Sequence, residues 1–382
     1  MNPRRIAAVP VLLSILAGAP VGFAQAEREP RLDFRAEEAA AYLEARAPTN
    51  AALVYYVHFM YAPQPMLNAY VHFNDDPDDD STFGMTREEA ERALRDAQDT
   101  LDNLAWASTL PECDFGIQYQ QGWTALLPHL GKLRGFARVL DADARRHLAL
   151  GEPDIAAERL ATIYRMAKQT TGDHIIISSL VGAAMTNLAH KLTREMIEAD
   201  DLTETGRDLM ITALEGFGRD DPDDPFAVRQ SIVMEGVMSL GWIATAFPEG
   251  RAGTKLAEFG LFDASADRKL VRQFNAMSGP ELSAEAERIP EYYSKSLEVW
   301  DSPKAADRLL ELEAVLEIGG FGKLTKAFAS ALSRSREQDI LARARLEEML
   351  ELLEHYEPEA SEDDALNPAP IPIPATGTPR DR

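Results

Sequence analysis

Residues 128–192 read PHLGKLRGFARVLDADARRHLALGEPDIAAERLATIYRMAKQTTGDHIIISSLVGAAMTNLAHKL, and this stretch decides the fold class. Pro128 suits the first turn of a helix, where its missing N–H removes no intrahelical bond. From there Leu130, Leu133, Ala137, Leu140, Ala144 and Leu148 recur at the spacing of one helical face. Gly151 ends that run, and Glu152-Pro153 opens another that carries Ala156, Leu160, Ile163 and Ala167 as far as Gly172. Asp173 is placed to cap a third helix through Ile177, Leu180, Val181, Ala184, Leu188 and Leu192. Two antiparallel helices joined by Gly-Glu-Pro form an αα-hairpin. The small side chains of Ala144, Ala156 and Ala157 let its backbones approach closely.

Working outward, the same periodicity recurs. Asn50 precedes a run of apolar residues from Ala51 to Val57, which predicts a buried helix ending before Pro63, although its aromatic and β-branched content also fits a strand. Thr86-x-x-Glu89 is a capping box, and the helix it starts runs to about Ser108, burying Ala90, Leu94, Ala97, Leu101, Leu104 and Ala105. Further helices are expected at 203–215, at 226–247 and from Ser302-Pro303 to Gly319-Gly320, with short ones between 248 and 302. The last region, 322–356, presents Ile340, Leu341, Leu346, Met349, Leu350 and Leu353. The expected fold is therefore all-α: a multi-helix αα-hairpin bundle, with solenoid-like stacking as one arrangement of it. It spans 27–356, with 27–216 and 217–356 as candidate sub-lobes. Residues 357–382 are acidic and then Pro-rich, and bury too little to offset ~1–2 kcal/mol of ordering entropy per residue, so a disordered tail is expected.

The N-terminus sets the expected compartment. Arg4 and Arg5 precede an apolar stretch from Ile6 to Phe23 that ends in Ala24-Gln25-Ala26, the pattern of a secretory signal cleaved after Ala26. A retained anchor is the alternative, but Pro10, Gly18, Pro20 and Gly22 break the run, and a spanning helix needs about 20 apolar residues. Ile6-Ala7-Ala8 after the arginine pair fits ordinary secretion better than the twin-arginine route. The protein is thus expected outside the cytoplasm, periplasmic or extracellular, with no stable membrane anchor after cleavage. Its 63 acids against 39 Lys and Arg give a formal charge of −24, which disfavours nucleic acid and anionic lipid as partners. The single cysteine, Cys113, excludes an internal disulfide, so packing must hold the fold.

Candidate chemistry is sparse. Asp76, Asp78 and Asp80 alternate as in a calcium loop, but Ser81 and Arg87 stand where glycine and the closing carboxylate belong, so a solvated acidic turn is expected there and at 220–224. None of the seven histidines forms HExxH, and they read as polar-face or capped residues; no metal and no cofactor is expected. Neither Gly-x-Ser-x-Gly nor a glycine-rich phosphate loop is present. Asp114 beside Cys113 raises the thiol pKa by like-charge repulsion, which favours a structural cysteine. Glu235 lies among Ile232, Val233, Val237, Met238 and Leu240 and is expected to face outward; burial would require a basic mate and would mark a cleft. No catalytic residue is assigned. The candidate binding residues are Cys113, Asp114, Trp123, His129 and Glu235.

Two resemblances bear on this reading. Ala144-x6-Gly151-x4-Ala156-x3-Leu160 resembles one tetratricopeptide-type hairpin, but no second copy follows at the required period of about 34 residues. The ordered set Asn50-Ala51-Ala52 with Tyr55, Cys113-Asp114-Phe115-Gly116, Leu127-Pro128-His129-Leu130-x-x-Leu133-Arg134, Asp143-Ala144 and Gly151-Glu152 is similar to a family of uncharacterised exported all-helical bacterial proteins. That likeness covers about 50–200, with a looser match around Arg343-Ala344-Arg345-Leu346. It implies export and a helical fold, and carries over no catalytic residue. The expected function is a non-catalytic scaffold or binding protein of the cell envelope, taking a peptide or partner helix around 128–198. The alternative is a carboxylate-dependent hydrolase or lyase, with Cys113, Asp114, Trp123 and His129 near the mouth of a helical cleft.

Overall fold

The leader at 1–26, the acidic turn at 74–82 and nearly all of the tail lie outside the residues that the computed structural model describes, which are 48–70, 85–260, 265, 267–328 and 332–358. These residues are all-α. They form α1 (Ala51–Tyr61), α2 (Gln64–Ala69), α3 (Arg87–Asp96), α4 (Gln98–Ser108), α5 (Pro128–Ala149), α6 (Pro153–Thr171), α7 (Ile176–Glu198) and α8 (Glu204–Glu215). The second half adds α9 (Val228–Ala246), α10 (Gly253–Glu258), α11 (Arg268–Ala276), α12 (Gly279–Ala286), α13 (Arg288–Trp300), α14 (Ala305–Glu317), α15 (Lys323–Phe328) and α16 (Leu332–His355). No helix among the described residues is long and apolar enough to cross a membrane.

Helix α6 is the organising element. It packs against α4, α5, α7 and α8, and Ala156, Ala157, Leu160, Ala161, Ile163, Tyr164, Met166 and Ala167 are all fully buried. A helix enclosed on most sides is apolar over most of its circumference, which is why its sequence shows a broad stripe and not a narrow seam. Each fully buried Leu or Ile contributes about 1.5–3 kcal/mol. The small residues act partly as expected: Ala157 permits a close approach, but of α8, where a Cβ on Gly206 would stand 2.8 Å from the Ala157 Cβ.

Charge is buried in the same layer. Asp143 on α5 is fully buried and holds Arg159 of α6 (Nε–Oδ2 2.9 Å) and Arg146 (Nε–Oδ1 3.0 Å). Gln98 of α4 donates to the same carboxylate at 3.1 Å, and Arg159 reaches out to Asp102 at 2.7 Å. His147 lies 2.6 Å from Glu152 through Nδ1, so the loop of the hairpin is tied to its first helix. The histidines expected on polar faces are thus in part buried: His129, His147 and His190 are each less than a tenth exposed, because each has a polar partner inside.

Several boundaries differ from expectation. Asn50 does cap α1, accepting from Ala52 N–H at 3.0 Å, and Thr86 and Glu89 form the capping box. The helix expected to run on to Ser108 is instead broken at Ala97 (φ −98°, ψ 3°) into α3 and α4. Helix α1 buries only Ala51, Ala52 and Tyr55, and leaves Leu53, Val57, Met60 and Tyr61 exposed, because it lies at the margin of the bundle against α4 and α5. In α16, Leu346, Met349 and Leu353 face inward, whereas Ile340 and Leu341 are exposed.

Candidate functional site

The corner between α6 and α7 gathers most of the residues singled out from the sequence. Asp173 does not cap α7. Its Oδ2 accepts from His129 Nε2 at 2.8 Å and from Ser178 Oγ at 2.9 Å, and all three residues are buried. Tyr119 donates its hydroxyl to the Asp173 carbonyl at 2.6 Å. The His129 ring stacks on Phe115 at 4.2 Å between centroids, and Tyr56 donates to the Phe115 carbonyl at 2.9 Å. The 111–119 loop is therefore clamped onto the corner through Phe115 on the His129 ring and Tyr119 on Asp173.

With Asp173 occupied, the first N–H of α7 is met from elsewhere. Ile176 N–H donates to Glu235 Oε1 of α9 at 3.1 Å, and Tyr293 O–H donates to Oε2 at 3.4 Å. Glu235 is only 4% exposed, so the outward orientation expected for it is wrong. The physical reason is that a helix N-terminus, with its unpaired N–H and positive dipole end, stabilises a buried carboxylate as a cation would. One turn further along α9, Ser239 accepts from the Trp123 indole N–H at 2.9 Å. Trp123 sits in a 3₁₀ segment at Tyr119–Thr124, whose Gly122 takes φ +53° and lies so close to α9 that an added Cβ would stand 2.4 Å from Trp242.

Asp114 and Cys113 complete the corner. Asn50 Nδ2 donates to the Asp114 carbonyl at 3.0 Å, Asp114 N–H donates to Asn50 Oδ1 at 2.9 Å, and Asp114 Oδ1 accepts from Gly116 N–H at 2.8 Å. Cys113 is half-buried, and burial, with the negative charges of Asp173 and Asp114 adding to it, pushes its thiol up to about 12. A thiol so placed is protonated at neutral pH and is a poor nucleophile. Ser178 donates its hydroxyl to Asp173, whose Oδ2 also accepts from His129, and hydrogen-bonds no histidine among the described residues. The arrangement locks a corner; it does not present an activated group.

Beside this corner lies an open cleft of about 740 Å³, to which Cys113, Arg165, Lys168, His174 and Asp221 contribute. Of the five candidates only Cys113 reaches its lining; Asp114, Trp123, His129 and Glu235 do not. The residues that give the cleft its character are Arg165 and His174, which sequence reasoning missed. Arg165 on α6 donates through Nε to Ser108 Oγ at 2.9 Å and through Nη2 to Thr162 Oγ1 at 3.3 Å, and pairs with no carboxylate among the described residues. Burial holds its pKa below the usual guanidinium value. By contrast Lys168 is paired with Asp220 at 2.9 Å, and Asp224 is committed to the N-terminus of α9 through Val228 and Arg229 N–H. His174 adopts φ +51°, a left-handed backbone that costs a non-glycine residue about 1 kcal/mol, and its Nδ1 is buried without a partner among the described residues. The sequence signal for Arg165 was its position between Tyr164 and Met166, a charge inside a segment that buries on every side.

No family model matches the chain, and neither a curated protein nor a solved structure matches it significantly. Among the described residues no group of three or more His, Cys, Asp or Glu side chains is arranged to hold a metal ion.

Proposed function

We propose that the protein is an exported, non-catalytic binding protein whose cleft beside the α6–α7 corner takes a peptide or partner segment through a carboxylate. One observation carries this reading: a partly buried guanidinium, Arg165, lines an open cleft and, among the described residues, hydrogen-bonds only hydroxyls, with the Glu158 charge acting on it without an ion pair. A guanidinium held by neutral acceptors retains donors for a charge-assisted, bidentate bond to a carboxylate. The volume is within the range of about 300–1,000 Å³ typical of ligand sites. Asp221, on the same lining, adds a negative group, so a ligand bearing both signs fits better than an apolar one.

The test is selection of a displayed random-peptide library on the full chain, followed by binding of the enriched peptides to Arg165→Gln. Enriched peptides should share a carboxylate and bind the variant at least about tenfold more weakly, the loss of one charge-assisted contact. Lack of enrichment, or equal affinity for the variant, would refute the reading. A carboxylate-dependent hydrolase or lyase is the second reading, and the closeness of Cys113 to the His129–Asp173 pair is what favours it. It requires that pair to turn from each other towards the cleft. Turnover of any ester or glycoside that disappears in Asp173→Asn would support it.

A further inference from the structure

Between helices α7 and α16 lies a small open cavity of about 200 Å³, lined by Asn187, His190, Lys191, Arg194, Arg345 and Glu348 together with Met349. It is separate from the cleft, shares no residue with it, and the inference below does not rest on the proposed function. Three features set it apart from a packing gap. The first is charge: three cations converge there in a chain of net charge −24, against one acid. Glu348 is paired with Arg194 at 2.9 Å and Glu195, outside the lining, with Lys191 at 3.8 Å, whereas Arg345 has no ion-pair or hydrogen-bond partner among the described residues.

The second feature is His190. It is 7% exposed, and its Nε2 is buried with no hydrogen-bond partner among the described residues. A buried ring nitrogen without a partner costs about 1–3 kcal/mol, a cost that an acceptor or donor reaching His190 from the cavity beside it would remove. Burial, with the charges of Arg194 and Arg345 adding to it, brings its pKa down to about 3, so the ring is neutral and one nitrogen carries a proton.

The third feature is a relay that permits either tautomer. Nδ1 lies 3.0 Å from Tyr164 O–H, which lies 2.9 Å from Thr193 Oγ1, which in turn lies 3.0 Å from the Ala189 carbonyl. Written one way, Thr193 donates to Ala189, Tyr164 donates to Thr193 and Nδ1–H donates to Tyr164, which leaves Nε2 as a bare acceptor. Written the other way, Thr193 donates to Tyr164, Tyr164 donates to Nδ1, and Nε2–H is a donor. An anion in the cavity selects the second form, because it accepts from Nε2–H and from the guanidinium groups at once.

We propose that this seam is a binding site for a tetrahedral oxyanion, a phosphate or sulfate group, held by His190, Arg194 and Arg345 with Lys191 at its edge. The volume corresponds to six or seven waters at ~30 Å³ each, room for one such group with residual solvent. Donors arriving from two helices suit a tetrahedral anion better than a planar one.

The experiment is a titration of the full chain, labelled with 15N-histidine, with inorganic phosphate at constant ionic strength. Glycerol 3-phosphate forms a second arm, to separate free phosphate from a phosphate group on a larger molecule, and chloride is the control. The His190 resonances should shift saturably with phosphate, Nε2 moving to the protonated, pyrrole-type position and Nδ1 to the pyridine-type one. Arg345→Gln, an exposed position that leaves the core intact, should weaken binding about tenfold or more. His190→Gln, which keeps an N–H donor, should retain more affinity than His190→Leu. Saturation by glycerol 3-phosphate as well would extend the site to phosphate monoesters, and saturation by phosphate alone would restrict it to the free ion. An equal response to chloride, no saturable shift, or unchanged affinity in Arg345→Gln would overturn the proposal.

Discussion

Asp143→Asn should destabilise the protein by about 3 kcal/mol, the lower end of the ~3–5 kcal/mol range for removing one partner of a buried ion pair. The carboxylate is fully buried and faces two guanidiniums, Arg146 at 3.0 Å and Arg159 at 2.9 Å. Asparagine keeps the shape, removes the charge and turns two N–H donors into a site already crowded with them. Arg159 retains Asp102 at 2.7 Å and the Gln98 carbonyl at 3.0 Å, so only Arg146 loses its carboxylate, and this places the effect low in the range. Urea unfolding of the wild type, Asp143→Asn, Arg146→Met and the double variant measures it. The double variant should be more stable than the sum of the single effects by at least ~1 kcal/mol, because removing the orphaned guanidinium relieves its cost. A loss below about 1 kcal/mol for Asp143→Asn, or strict additivity, would refute a desolvated ionic core in this layer.

Three further perturbations address other parts of the molecule. Alkylation of Cys113 by iodoacetamide should be slow at neutral pH and should still be climbing at pH 10, as a thiol near 12 requires, and Asp114→Asn should speed it; a plateau centred below about pH 9 would contradict the burial and charge that hold the thiol protonated. Gly122→Ala should cost about 2 kcal/mol or more and perturb the near-ultraviolet dichroism of Trp242, since the new Cβ meets that side chain at 2.4 Å on a residue at φ +53°, whereas Gly135→Ala, with open space around it, should be neutral or slightly stabilising. Because the folded pKa of His190 lies near 3, the unfolded chain binds the extra proton first as pH falls below about 6.5; stability should drop by ~2 kcal/mol between pH 6.5 and pH 5, and His190→Gln should remove that slope in thermal or urea titrations at low phosphate.

The helices were legible because one physical signal, apolar recurrence at 3.6 residues, is written in each of them, and caps such as Asn50 and the Thr86–Glu89 box close them locally. What failed was tertiary choice among local options. Asp173 is a good capping residue by type, yet its partners proved to be His129, 44 positions away, and Ser178, and the vacancy at the start of α7 went to Glu235 from a different helix. No sequence window contains that exchange. The same holds for the site. Cys113, Asp114, Trp123, His129 and Glu235 do lie around one corner, but their partners there are one another's neighbours, and the cleft beside them takes its charge from Arg165, which no sequence motif singled out.

Charge makes Arg165 and Arg345 informative. With 63 acids and 39 Lys and Arg, an arginine has more carboxylates than it can use within reach of a flexible side chain. Several arginines of the packed layers take two: Arg145 holds Asp141 and Glu195, Arg159 holds Asp143 and Asp102, and Arg343 holds Asp339 and Asp224. In such a chain a guanidinium that lines a cavity without a carboxylate sits in the field of the surrounding negative charge, which makes that position useful only for a discriminating encounter. Long-range repulsion suppresses non-specific anion binding, and a local site must overcome it with directed donors. Raising ionic strength screens the repulsion over ~10 Å at 0.1 M while sparing contacts inside a cavity, so an anion bound at the His190–Arg345 seam should bind more tightly, not more weakly, as an inert 1:1 salt rises from very low concentration towards 0.1 M. Arg345 is itself exposed, so buried His190 is the distinguishing group: an ion pair with Arg345 alone would weaken monotonically over the same range, and that opposite slope in a calorimetric titration with phosphate would dismiss the seam as ordinary surface charge.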